Sequence, residues 1–201
     1  MCMTEMKIFE KWDVTGIEVK DPGLKRYITL KPMLVPKSRG RCRAPFEKSE
    51  MHIVEKLITK VMVPGHKGKK HFLTSGHCCG KWYKAYKLVK DVFEIIEKIT
   101  KKNPIEVFVR ALENAALREE LTSFQVGGII VRKAVVTSPQ RRIDAALRLM
   151  TQGAYHRAHR NPKGFARCLA EEILAAYRGD IHSSYALREK ERIEREAAAS
   201  R

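Results

Sequence analysis

Apolar residues recur at three- and four-residue spacing through most of this chain, and the breaks in that rhythm mark where its elements end. Met51, Val54, Leu57, Ile58, Val61 and Met62 predict a helix that Pro64 and Gly65 stop. A second, wider stripe runs through Ala85, Leu88, Val89, Val92, Phe93, Ile95, Ile96 and Ile99. Asn103 is placed to cap a third helix, with Pro104 at its first position, Glu106 three residues after the cap, and Val107, Phe108, Ala111 and Leu112 facing inward.

From Leu121 to Val136 the rhythm changes. β-Favouring residues flank Gly127-Gly128, which predicts a β-hairpin. Ser138-Pro139 opens a fourth helix with Ile143, Ala146, Leu147 and Met150 on one face. After a turn at Asn161-Pro-Lys-Gly164, residues Phe165, Cys168, Leu169, Ile173, Ala176 and Tyr177 mark a fifth, ending near Gly179. Ser183 or Ser184 caps a last helix, whose Arg188-to-Arg195 stretch reads as a solvated face with local ion pairs. Before about Phe46 the chain carries Pro22, Pro32, Pro36 and Pro45 and short extended pieces, so helix is not expected there.

The fold class expected is therefore mainly α: about six helices in a bundle, one protruding β-hairpin at about 121–136, and an irregular N-terminal arm. The expected division is an arm over 1–46, a helical core over 47–182 and a charged C-terminal helix over 183–201. A lone hairpin is only marginally stable in water, so one that projects with Arg132 and Lys133 on it is expected to dock on a partner; the plainer alternative folds it flat on the core.

Charge changes the picture. The formal net charge is +17, and the excess lies in blocks. Between Lys56 and Lys90 there are nine lysines and no Asp or Glu. Leu121–Ile143 and Ala145–Ala170 are also acid-free, and they carry Arg141, Arg142, Arg148, Arg157, Arg160, Lys163 and Arg167. Unmatched like charges repel, so such blocks imply an anionic partner outside the chain, and nucleic acid fits best because neutralised phosphates release their counterions. No apolar run is long enough to span a membrane. The start lacks the layout of a signal peptide and the five cysteines form no paired framework, so a cytosol-like compartment with reduced thiols is expected.

Several clusters carry candidate chemistry. In the segment Lys37, Ser38, Arg39, Gly40, Arg41, Cys42, Arg43, cations alternate with small residues, as in a flexible strand that orders on a polyanion. Arg141 and Arg142 occupy a helix first turn, where the dipole disfavours cations, and a phosphate there resolves the conflict; the alternative is that both point into water. Lys67, Lys69 and Lys70 sit in a glycine-rich loop that lacks phosphate-loop spacing and suits backbone contact with RNA. Trp82, Tyr83 and Tyr86 interleave with Lys81, Lys84 and Lys87, either for base stacking or as the edge of the core. His71, His77, Cys78 and Cys79 lack zinc-site spacing, and His52 with Glu55 makes no catalytic set, so neither a metal nor a cofactor nor an enzyme is expected.

One ordered set of motifs adds to this reading. Lys7-Ile-Phe, Asp21-Pro-Gly-Leu-Lys-Arg-Tyr27, His52-Ile-Val-Glu55, Gly68-Lys-Lys70, Asn103-Pro-Ile-Glu106, Glu113-Asn-Ala-Ala116, Arg118-Glu-Glu120, Ser138-Pro-Gln-Arg-Arg142 and Ser184-Tyr-Ala186 together resemble the small-subunit ribosomal protein seven family, in its archaeal and eukaryotic branch. The resemblance implies a structural protein of the translating ribosome. It would bind the 3′ major domain of small-subunit rRNA and help to start assembly of the subunit head. Its neighbours would be proteins nine, eleven and thirteen, with the hairpin (Gln125, Gly127, Gly128, Arg132 and Lys133) near the mRNA exit path and exit-site tRNA. The chain departs from the family pattern at Leu117, Ile130, Val131 and Val136. The competing reading is a free-standing DNA- or RNA-binding regulator that uses the Ser138 helix for recognition.

Overall fold

The computed structural model describes residues 6–38, 40, 42–65 and 81–200, together with the backbone of residues 66, 67, 70 and 71. Its elements run α1 (Pro22–Lys25), a 3-10 turn (Glu47–Glu50), α2 (Ile53–Val61), β1 (His66–Lys67), β2 (Lys70–His71), α3 (Trp82–Thr100), α4 (Pro104–Ala115), β3 (Glu119–Val126), β4 (Ile129–Val136), α5 (Pro139–Ala158), α6 (Gly164–Arg178) and α7 (Tyr185–Ala198). The architecture is mainly helical with a protruding hairpin, as the periodicity predicts. The short β1–β2 ladder, pairing His66 with His71, lies where the sequence reads as a loop; two pairs of residues leave no periodicity to detect.

Helix α6 sits at the centre, packed against α3, α4, α5 and α7. Its residues Cys168, Leu169, Ala170, Ile173 and Ala176 meet Val89, Phe93 and Ile96 of α3 and Ile105, Phe108 and Leu112 of α4 in one core. Burying each Val, Leu, Ile or Phe side chain among them contributes roughly 1.5–3 kcal/mol. Asn103 accepts a hydrogen bond from the Ile105 N–H, satisfying one orphan donor of α4. Its amide donates to the Asp13 carbonyl, which ties the N-terminal segment to that helix.

That segment is more than an arm. Ile8, Phe9, Trp12, Val14, Leu24 and Ile28 are all buried in the common core. Phe9 and Trp12 set their rings edge-on to Phe93 at centroid separations of 6.0 and 5.8 Å. Residues Pro22–Lys25 form one helical turn, where helix was not expected, capped by the Asp21 side chain.

In the hairpin, β3 and β4 run antiparallel in register from Glu119↔Val136 to Val126↔Ile129. The two-residue loop needs positive φ at both positions, and Gly127 (55°) and Gly128 (86°) provide it. Residues 122–133 are exposed, so the ribbon stands clear of the bundle, while its base leans on α7. Arg132 and Lys133 project to opposite faces.

Candidate nucleic-acid interface

The first turn of α3 faces the end of α5 and the start of α6 across a cleft of about 360 Å³. Its floor is apolar, built from Val61, Ala85, Leu88, Ala158 and Phe165. Lys81, Lys84, His159 and Arg160 rim it, and among the described residues no carboxylate lines it. Three cations drawn from two different acid-free stretches thus meet at one opening. His159 and Ala158 were not singled out in the sequence, and Val61, Ala85, Leu88 and Phe165 were read there only as buried helix faces, since nothing local shows that they line one cleft.

Beside the cleft, three rings form a ladder. Trp82 stacks on Tyr86 at 5.2 Å, and Tyr83 lies nearly parallel to Tyr86 at 6.4 Å. Lys37 from the N-terminal segment caps the Trp82 face at 4.6 Å, and Lys87 caps Tyr83 at 4.7 Å. The core-edge alternative therefore holds for two of the three aromatics. Trp82 and Tyr86 pack against the core, where burial pushes the Tyr86 hydroxyl pKa up, whereas Tyr83 is 63% exposed and presents its ring outward. On the adjoining face, Lys48 and Lys60 converge on Asp144 at 2.6 and 3.9 Å, with exposed Arg148 one turn further along α5. One carboxylate cannot neutralise three cations.

The acid-free blocks are not wholly unpartnered, and this corrects the simplest reading of them. Arg142 bonds Asp21 at 3.0 Å and donates to the Leu117 carbonyl at 2.8 Å, with its side chain only 15% exposed. It pins α1 to α5 and is a structural residue, not a free phosphate fork. Arg141 bonds Glu120 through Nε at 2.6 Å, which raises its pKa, but the rest of its guanidinium remains exposed. Arg157 reaches the fully buried Glu172 at 3.2 Å and donates to the Ser183 carbonyl. Lys163 and Arg167 share Glu171 at 3.1 and 3.5 Å. Lys56 is buried and donates to the Tyr27 carbonyl at 2.8 Å; burial lowers its pKa to about 8. A basic residue's local sequence shows nothing of a carboxylate that folding brings from elsewhere. Ser138 stands at the α5 N-cap without making a side-chain capping bond.

Arg43 is exposed, as are Gln125, Gly127, Gly128, Arg132 and Lys133 on the hairpin. Arg39, Arg41 and Lys69, the side chains of Lys67, Lys70 and His71, and residues His77, Cys78 and Cys79 lie outside the described residues. His52 and Glu55 do structural work: His52 accepts the Val54 N–H at the α2 cap, and Glu55 accepts from the Ser38 N–H and hydroxyl. Among the described residues no group of three or more His, Cys, Asp or Glu is placed to hold a metal, and no helix is long and apolar enough to cross a membrane.

A helical bundle that carries a cation-rimmed cleft, an exposed aromatic and a free-standing basic ribbon has the surface features of a nucleic-acid-binding protein. Comparison with known sequences narrows this to one family. Residues 24–201 match the family described as Ribosomal protein S7p/S5e, and the chain belongs to it. It is 49% identical over 198 residues to small ribosomal subunit protein uS7 of Nanoarchaeum equitans, covering 98% of this chain and 100% of that one. It is 44% identical to the protein of the same name from Methanococcus aeolicus, over 98% of this chain and 100% of that one, and 44% identical to that from Archaeoglobus fulgidus, over 98% and 96%. This family is structural and non-enzymatic, and the archaeal and eukaryotic branch read from the motifs agrees with these archaeal relatives.

Proposed function

We propose that this protein is a constituent of the small ribosomal subunit in the cytosol, bound to the 3′ major domain of the rRNA, where it helps to build the subunit head. The observation that carries the reading is the acid-free rim of Lys81, Lys84, His159 and Arg160 beside the Lys37–Trp82–Tyr83 platform, a surface that pairs phosphates with a base-stacking ring. Arg43, Arg148 and the exposed part of Arg141 extend the phosphate contacts, and Arg39, Arg41, Lys67, Lys69 and Lys70 add to them from the flanking segments. The hairpin, exposed and basic, reaches toward the mRNA exit path and exit-site tRNA. The protein's neighbours in the subunit are proteins nine, eleven and thirteen, as the family resemblance implies.

The test is fractionation of growing cells with the tagged full-length chain. The proposal expects sedimentation with small subunits and, in vitro, tight salt-dependent binding to a transcript of the 3′ major domain in preference to generic duplex DNA. Recovery only in ribosome-free fractions, or equal affinity for both nucleic acids, would overturn it.

A further inference from the structure

We infer that the cleft between α3, α5 and α6 receives a single unstacked base of the bound RNA, resting on the reading above that the partner is rRNA. Its lining has two unlike parts. The floor of Val61, Ala85, Leu88, Ala158 and Phe165 offers nothing to a phosphate, which would lose its hydration there without gaining a bond. The rim of Lys81, Lys84, His159 and Arg160 offers nothing to an apolar side chain, because filling the floor with one would leave the cations unmatched around it.

A nucleotide satisfies both at once. Its base is flat and largely apolar on its faces, its phosphates are anionic, and the two are joined at a distance that lets one enter while the other stays at the mouth. At about 360 Å³ the cleft lies at the lower end of small-ligand sites, which suits one base and not a run of them. Tyr155 also lines the cleft, in edge contact with Phe165 of the floor at 6.3 Å, so a base that enters meets an aromatic edge as well as Leu88. The Tyr83 ring lies along the same helix, outside the cleft, and gives a neighbouring base a second stacking surface. The site thus reads an irregular, locally unpaired RNA segment and rejects a continuous helix, whose bases stay in their stack.

Two measurements on the full-length chain bound to the 3′ major domain transcript test this. Direct ultraviolet crosslinking followed by peptide sequencing is expected to place a nucleobase adduct on Tyr155, His159 or Phe165. The variant Leu88→Trp, which fills the floor without altering charge, is expected to lose that adduct and to bind about tenfold more weakly with an unchanged salt slope, as the loss of one stacked base requires. Adducts confined to other segments, or wild-type affinity in a folded Leu88→Trp chain, would overturn the inference and leave the rRNA reading standing. An apolar side chain of a partner protein in the cleft would give that same adduct-free result. Should Leu88→Trp fail to fold, the wild-type crosslink decides alone. Failure of the wild-type chain to bind the transcript at all would overturn the rRNA reading itself, and this inference with it.

Discussion

Replacing Arg157 by methionine separates a structural arginine from an RNA-binding one. The Glu172 carboxylate is fully buried, and its partners are Arg157 at 3.2 Å, the Ser184 hydroxyl at 2.8 Å and the Ala186 N–H at 3.0 Å. Two unit charges at that separation attract by roughly 5 kcal/mol at an effective dielectric of about 20. The Arg157 side chain is 32% exposed, so solvent screens part of this, and the two remaining donors soften the loss. A destabilisation of about 2–3 kcal/mol remains, or a fall of roughly 5–10 °C in Tm for a chain of this size.

The pH dependence supplies a sharper check. Burial pushes the Glu172 pKa up, and Arg157 opposes that shift. A carboxyl with a raised folded pKa contributes stability that is complete below its unfolded value and is lost as pH rises through its folded value. Without Arg157 the folded value climbs further, so more is lost at about pH 7.5 than at about pH 5. The expected result by thermal melting is a deficit that is large near neutrality and shrinks in mild acid, while RNA affinity of the folded variant changes little. An unchanged Tm, or a deficit equal at both pH values, would refute the structural role.

Other outcomes follow from the same coordinates. Burial depresses the His52 pKa from 6.5 to about 4, so its stabilising contribution is present above about pH 6.5 and drains as pH falls toward 4; His52→Asn, which keeps an acceptor for Val54, flattens that decline by about 2–3 kcal/mol in urea titrations. A methyl added at Gly153 meets the Tyr185 Cβ at 2.6 Å, so Gly153→Ala gains at most about 1 kcal/mol of helix propensity and loses more to forced separation of α5 from α7. A lower denaturation midpoint is expected, and a higher one would show that the helices yield freely. Gly128→Val places a branched residue at φ 86° and is expected to speed hydrogen exchange in β3 and β4 with little change in Tm, because the exposed tip buries no core; a large fall in Tm would contradict its independence.

What the sequence made legible was whatever depends on local pattern. The α3 stripe from Ala85 to Ile96, the Asn103-Pro104 helix start and the Gly127-Gly128 turn each follow from a few neighbouring residues, and each stands where expected. The N-terminal contribution to the core was hidden because Ile8, Phe9, Trp12 and Leu24 follow neither a helical nor a strand period. The site was legible in its chemistry but not in its allocation. Arg142 and Asp21 are 121 positions apart, so no window of sequence reveals that they pair. Conversely, Lys81 and Lys84 could not be matched with Arg160 until α3 was laid beside α5, and only that juxtaposition separates cations that face outward from those that hold the fold together.

The central claim is that the outward-facing cations around the α3–α5 cleft neutralise rRNA phosphates. Its most direct test is a salt titration of transcript binding by the full-length chain and by a Lys81→Ala, Lys84→Ala, Arg160→Ala variant. Each phosphate contact adds about 0.7–0.9 to the slope of log affinity against log salt, so the variant's slope is expected to be shallower by about 2–3, with an unchanged melting temperature. Identical slopes for the two proteins would contradict the account.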